Sequence, residues 1–579
     1  MPYVIAQSFI PELARHPMLA SFDFRGILVA SISEQGRRNR MNTSYTTAKR
    51  ATMHRAALLL ALAASFCLAL GFGAPSALAA QDEALSVGNA QLSAQATSKV
   101  MHRFADVASG TVAWDASTNT VTMTNATIDL DKQSSKYVYY GISVDGELEY
   151  PTPTITLKLV GANVIKGGGT TLSGAVYVND ANLKVVGPGS LTTQCPGATY
   201  ACHVDGSLTA ESGTMSVMGG NSGFHCEENF LLSGAKLSVK DTRGSGVNAE
   251  GKVTLRKGSL TVNGAQYNGV YADSGPISLS GAKVAISNAK YAGIYTSQGA
   301  VSITAGTLTI AKCESGVSCD KAFAIGGKST KATMSSLESS GVYSDGFTMK
   351  AGKLTVKSCG YGVSSKSSAS VSGGTLSITG ASEVGLQAMD GTLRVKGGSA
   401  TVKCTKSNVY ALYGSKKVLT KPSSLKAIKG TVGAGATIKA NGSTYVVGDY
   451  GDVMLKSYGS SKKSVSVNAV WYGGRSYDIE TIAAKAFATK QGKALTALAL
   501  GKNVRTIGAN AFKGTSSLKT LNIANFYYYS ASMNKKAFAQ CGKAGGADLT
   551  VRCKYNWECK SAREKLTAAG LSHRARFTA

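Results

Sequence analysis

The chain has 579 residues, with 62 Lys and Arg against 33 Asp and Glu, for a formal net charge of +29. The excess is mostly lysine and is scattered, with no recognition helix, finger spacing or aromatic nucleic-acid motif beside it, so nucleic acid is set aside as a partner. What remains is attraction to polyanions: acidic polymers of a cell wall, sulfated or sialylated glycans of mucin and host surfaces, or anionic membranes.

In chain order, Arg50, His54 and Arg55 precede an apolar run over 56–73, and Ala77, Leu78 and Ala79 offer the small residues a signal peptidase reads. This pattern predicts a secretory signal over 53–79, cut near Ala79 or Ala80, and hence a secreted or cell-surface protein. Residues 1–52 lie ahead of that signal, as an extended N-terminus or a start placed upstream of Met41 or Met53. Phe66 before Cys67 is too bulky for a lipoprotein cleavage site. After the signal no apolar stretch has a membrane span's length, so no transmembrane segment is expected. Residues 80–104 are polar and read as a flexible lead-in.

Alternation on both sides of the Ser117–Asn119 turn predicts a hairpin that caps a longer stack of strands. From Ile155 the text becomes repetitive. Glycines open successive units at Gly246, Gly269, Gly293, Gly316, Gly341, Gly362 and Gly385, at spacings of 23, 24, 23, 25, 21 and 23 residues. Within a unit Val270 and Ala272, Ile277 and Leu279, and Val284 and Ile286 alternate inward. That gives three short strands per turn, joined by glycine-bearing corners and buried only by stacking. The reading is mainly β: a right-handed parallel β-helix solenoid over 105–412, of about ten coils.

The Asp115 to Met123 opening, the Leu159 to Ile165 segment and the Gly-Val-Tyr-Ala-Asp units together resemble the secreted, carbohydrate-binding-domain-containing β-helix proteins of Gram-positive bacteria. The resemblance covers about residues 105–412 and implies fold more than activity. Residues 413–443 read as cap and linker.

A second repeat then begins. Ile482-Ala-Ala-Lys-Ala-Phe487 recurs as Ile507-Gly-Ala-Asn-Ala-Phe512 and, degenerately, at Lys536-Ala-Phe538, while Leu495, Leu498 and Leu500 match Leu518, Leu521 and Ile523. Residues 444–579 therefore resemble a short BspA-like leucine-rich repeat domain with a terminal helix. Phe487 and Phe512 would plug its interior. The resemblance implies adhesion, including contacts with host proteins through these repeats.

Four sets of residues could carry chemistry. His203 and His225 occupy the same third slot of adjacent units, with Asp205 and Glu227 two residues on, so stacking would gather them on one outward face as a metal or acid–base lattice. The slot also carries Tyr177, Tyr271, Tyr295 and Tyr343, so an ordinary row of exposed flat side chains explains them equally. Asp145, Asp205, Glu227, Glu250, Asp273, Asp320 and Asp345 recur at one corner, where turn chemistry accounts for acids. Tyr271, Tyr295 and Tyr343 in the outward row, with Tyr267, Tyr291 and Tyr361 at the corner before the opening glycine, suggest a platform for sugar rings. Ladder packing is the structural alternative. Tyr527, Tyr528 and Tyr529 form a second aromatic patch in an inserted loop.

The ten cysteines after the signal fit small buried core positions, with a disulfide open among Cys541, Cys553 and Cys559. No catalytic set, metal or cofactor is assigned. The resulting expectation is a non-enzymatic surface adhesin or glycan-binding protein, with multivalent contacts through stacked tyrosines and a basic surface. A polysaccharide lyase or hydrolase on the same rod is the alternative, although Arg243, Arg256 and the nearby lysines assemble no catalytic set with the acids. An inert spacer is a third reading.

Overall fold

The computed structural model describes residues 83–87, 90–93, 100–102, 107–132, 140–145, 152–167, 172–542 and 548–579. The expected signal over 53–79 and the segment 1–52 lie outside the described residues.

Val107–Asp115 and Thr120–Asp129 pair antiparallel as the expected hairpin. The second strand then pairs in parallel with Thr154–Val160 and Ala162–Lys166, so the hairpin closes the first coil. The lead-in is not all loose. Glu83–Val87 pairs antiparallel with Ala90–Ser93 and with Tyr140–Asp145, and Val87 is fully buried. Buried Val87 shows a packed position that the polar composition of 80–104 hides.

The body is a stack of three-sided coils. Its first side runs in parallel register from Tyr140–Asp145 through Gly174–Asn179 and on to Thr431–Val432, 13 strands in one ladder. The second and third sides follow as one bent strand in the central coils, as in Val253–Asn263 and Ile277–Ser287, with the register broken at the corner in between. Val270, Ile294 and Val342 face inward and are at most 2% exposed, as the alternation requires. Each such burial contributes about 1.5–3 kcal/mol, which a lone coil could not collect.

The opening glycines have a reason beyond flexible corners. A Cβ on Gly269 would stand 2.4 Å from Ile286 Cγ2 and 2.6 Å from the carbonyl oxygen of Gly293, so the first side can approach the third only where no side chain intervenes. After Gly385 the column passes to Ala411, and there the sequence signal for a coil fades. The coils themselves continue. Lys417–Thr420, Leu425–Lys429 and Thr431–Val432 all pair in parallel with the preceding coil, so 413–432 is solenoid rather than linker. Val418 and Val432 are buried, while Lys416, Lys417, Lys421, Lys426 and Lys429 around them are exposed, a composition that reads as polar linker.

Beyond Val432 the chain keeps stacking. Val453–Ser457, Arg475–Ile482, Thr506–Ile507 and Ser532–Met533 form one parallel ladder. Ser464–Val467, Ala497–Leu500, Thr520–Asn522, Thr550–Arg552 and Arg576–Thr578 form another. Between them Phe487, Phe512 and Phe538 are fully buried, with ring centroids 4.9 Å apart at each step, and Tyr458 extends the column at 4.8 Å. The helix Asn556–Ala568 packs through Ala562 and Leu566. The parallel solenoid thus has about 17 turns against the ten or so expected, because that expectation stopped at residue 412 whereas the parallel stacking runs on beyond it.

Candidate functional site

The outward column on the first side reads, coil by coil, Ser143, Tyr177, His203, His225, Asn248, Tyr271, Tyr295, Ser318, Tyr343, Ser364, Gln387 and Tyr413. Parallel in-register pairing spaces these side chains about 4.8 Å apart, a distance at which flat rings stack on one another.

They do so in two blocks. In the first, Tyr177 stacks on His203 at 4.6 Å and His203 on His225 at 4.9 Å, while Tyr200 leans in at 4.7 and 4.8 Å from the two imidazoles. Tyr140 extends the block at 4.5 Å from Tyr177. In the second, Tyr271 and Tyr295 stack at 5.6 Å with planes 15° apart. Tyr343 shares the column but stands beyond Ser318, and its ring is covered by Lys366 Nζ at 5.3 Å.

This geometry corrects the idea of one continuous flat platform. Rings stacked along the coil axis occupy one another's faces, leaving mainly edges toward solvent. Around the second block, faces open where a small side chain interrupts the column, at Asn248 below Tyr271 and at Ser318 above Tyr295. Depressions lie at both interruptions. One, of about 450 Å³, is lined by Asn248 and Tyr271 together with Tyr200, Tyr267, Asn268 and Tyr295. The other, of about 310 Å³, is lined by Ser318 and Tyr295 with Tyr291, Asn268 and Glu314. They share Asn268 and Tyr295 and form one shallow groove.

Tyr267 and Tyr291, 55% and 41% exposed, form the far wall with ring centroids 5.5 Å apart. Tyr361 does not belong to that wall: it is in register with Ser340 and Val384, one position nearer the opening glycine than Tyr267 and Tyr291. Asn248, Ser318, Tyr200 and Asn268 were not singled out from the sequence. Their signal was the succession of sizes in the third slot, large or flat and then small, rather than the tyrosines alone.

The acids form the expected column. Asp205, Glu227, Glu250, Asp273 and Asp320 each follow the outward slot by two residues and donate their backbone N–H to the coil before, so they flank the rings on one side. Tyr271 Oη donates to Asp273 Oδ1 at 2.7 Å, and Ser297 Oγ donates to the same oxygen at 3.1 Å. Burial, and then the hydrogen bond to Asp273, push the Tyr271 phenol up to about 12. Burial, Asp320 and Asp273 raise Tyr295 as well.

At the histidines, His203 is 5% exposed and its Nε2 lies 2.7 Å from Asp205 Oδ1. His225 is held down at about 4, first by burial and then by His203, with Asp205 opposing. Ligand atoms of His203, Asp205 and Glu227 come within 4.8 Å of one another, so these three could hold a divalent cation. His225, expected beside them, is not part of that set.

The second aromatic patch is reorganised. Tyr528 is 6% exposed, its hydroxyl 2.7 Å from Ser561 Oγ, so it anchors the loop to the terminal helix instead of facing a partner. Tyr527 and Tyr529 remain exposed, with centroids 5.8 Å apart. Tyr555 and Trp557, missed in the sequence, stack at 5.9 Å with Lys554 Nζ over the Tyr555 ring at 4.9 Å. All ten cysteines among the described residues are unbridged, Cys541, Cys553 and Cys559 included. Burial drives Cys195, Cys202 and Cys319 up to about 12, which suits core packing and not nucleophilic work. No helix among the described residues is long and apolar enough to cross a membrane.

Residues 106–341 match the model of a family described as carbohydrate-binding domain-containing protein. The match takes in the whole groove and points to glycan binding as the activity of this part of the chain. No curated protein and no solved structure matches the chain.

Proposed function

We propose that the protein is an exported, non-enzymatic glycan-binding protein, acting as a surface-associated adhesin, whose binding site is the groove between the interrupted tyrosine columns. The observation that carries this reading is the coincidence of both depressions with Asn248 and Ser318, where the faces of Tyr271 and Tyr295 are free of stacked neighbours. A sugar ring entering either gap covers an aromatic face, while Asn248, Asn268 and Ser318 offer hydrogen bonds to its hydroxyls. The gaps lie three coils apart, about 14 Å, so one oligosaccharide can engage both. The family match over the same residues supports this.

Residues 444–579 act in this reading as a BspA-like leucine-rich repeat segment that adds contacts to host proteins. Glycan-array binding by the purified protein, followed by calorimetry with the best oligosaccharide, tests the proposal. Tyr271→Ala with Tyr295→Ala is expected to weaken binding at least tenfold, since stacking on an aromatic face is worth about 1–3 kcal/mol. Unchanged affinity in that variant would reject the groove as the site.

The carbohydrate-active alternative rests on His203, Asp205 and Glu227. It requires cleavage products from a bound polysaccharide, and these should vanish with His203→Ala. Binding without products supports the lectin-like reading.

A further inference from the structure

The net charge of +29 suggests a taste for acidic polymers, but the groove itself has the opposite character. Among the described residues, no lysine or arginine lines either depression, whereas Glu314 lines one of them. Along the near edge, Glu250 and Asp273 stand two residues after Asn248 and Tyr271, in the turns that follow those short strands. The bond from Tyr271 Oη to Asp273 Oδ1 at 2.7 Å holds that carboxylate beside the ring. Asp320 follows Ser318 in the same way at the second gap.

Three cations around the groove have partners of their own. Arg243 donates to the Ala198 carbonyl at 2.7 Å, Lys290 lies over Tyr291 at 5.5 Å, and Lys366 covers Tyr343 and pairs with Asp320 at 3.7 Å. A polymer bearing a carboxylate or sulfate on each sugar would bring like charge against this edge, and one bearing ammonium groups would bring opposite charge.

We propose that the groove selects glycans whose sugars carry free amino groups, takes uncharged glycans less tightly and rejects acidic ones. This rests on the glycan-binding reading above. The general basic excess lies elsewhere: residues 433–579 hold 22 Lys and Arg against 7 Asp and Glu, and residues 107–432 hold 30 against 20.

The test is calorimetry of the full protein, at low salt and pH 6, with three 1,4-linked hexamers: β-linked glucosamine, β-linked N-acetylglucosamine and, as the acidic counterpart, α-linked galacturonate. Glucosamine hexamer is expected to bind about tenfold tighter than its acetylated form, the sum of two or three exposed charge pairs, and the galacturonate more weakly than either. Raising salt should erase the first difference and leave N-acetylglucosamine binding unchanged. Asp273→Asn with Glu314→Gln should reduce the amino preference to less than threefold, with an unchanged thermal melt reporting an intact fold. Equal affinity for the acetylated and amino hexamers, or galacturonate binding as tight as either with or without calcium, would overturn the charge assignment alone. Failure of all three hexamers and of the array would overturn the glycan-binding reading with it.

Discussion

The body and the segment after Val432 are both parallel solenoids, yet they use aromatic rings in opposite ways. In the body the phenylalanines and aliphatic residues fill the inside and the tyrosines and histidines form the outer column, bordered by carboxylates. After Val432 the ring column runs through the core, Tyr458, Phe487, Phe512 and Phe538, and the exposed pair Tyr555 and Trp557 sits beside Lys554 at the start of the terminal helix. The same stacking of equivalent side chains therefore presents rings to solvent when the column faces water and adds stability when it faces inward. It also separates charge, with the acid-edged groove on the body and the denser basic excess on 433–579.

Breaking the inner column should have the largest effect. Phe512→Ala removes the middle ring, fully buried between two partners, and is expected to cost about 3–5 kcal/mol in denaturant unfolding. Amide exchange should show the loss of protection around 480–540 and not in the coils carrying the groove. Equal loss in both would mean that the two solenoids unfold as one unit.

The outer column should respond to pH where the inner one does not. Because His225 in the folded chain sits near 4 and its ordinary value is 6.5, the unfolded chain takes up the proton first as pH falls. Its contribution is full above about 6.5 and is lost on the way down to about 4, up to about 3 kcal/mol. Melting between pH 7.5 and 4.5 is expected to show this drop, and His225→Gln should flatten it. A profile that is the same with and without His225 would place the pH response elsewhere.

Much of this was legible in the sequence because a coil writes its register as a period. The inward Val270, Ile294 and Val342, the shared slot of His203, His225, Tyr271, Tyr295 and Tyr343, and the acid column all follow from a spacing near 23 residues with strand alternation. The misses have physical causes. After Gly385 the opening position passes to Ala411 and the glycine period stops, so Lys417–Thr420 and Leu425–Lys429 read as linker. Tyr528 looked exposed among three tyrosines, but its hydroxyl finds Ser561 on a helix 33 residues away. The groove depends on which ring faces remain uncovered, and that is decided by Asn248 and Ser318, whose small size among the rings carries no motif in the sequence.

Filling those two gaps tests the account most directly. Asn248→Tyr with Ser318→Tyr would complete the outer column from Tyr177 to Tyr343, and glycan affinity should be measured beside thermal stability in the same preparation. The account predicts a fold as stable as before or more so, with oligosaccharide binding lost. Undiminished binding by a folded double variant would show that the interrupted tyrosine column is not where the glycan sits.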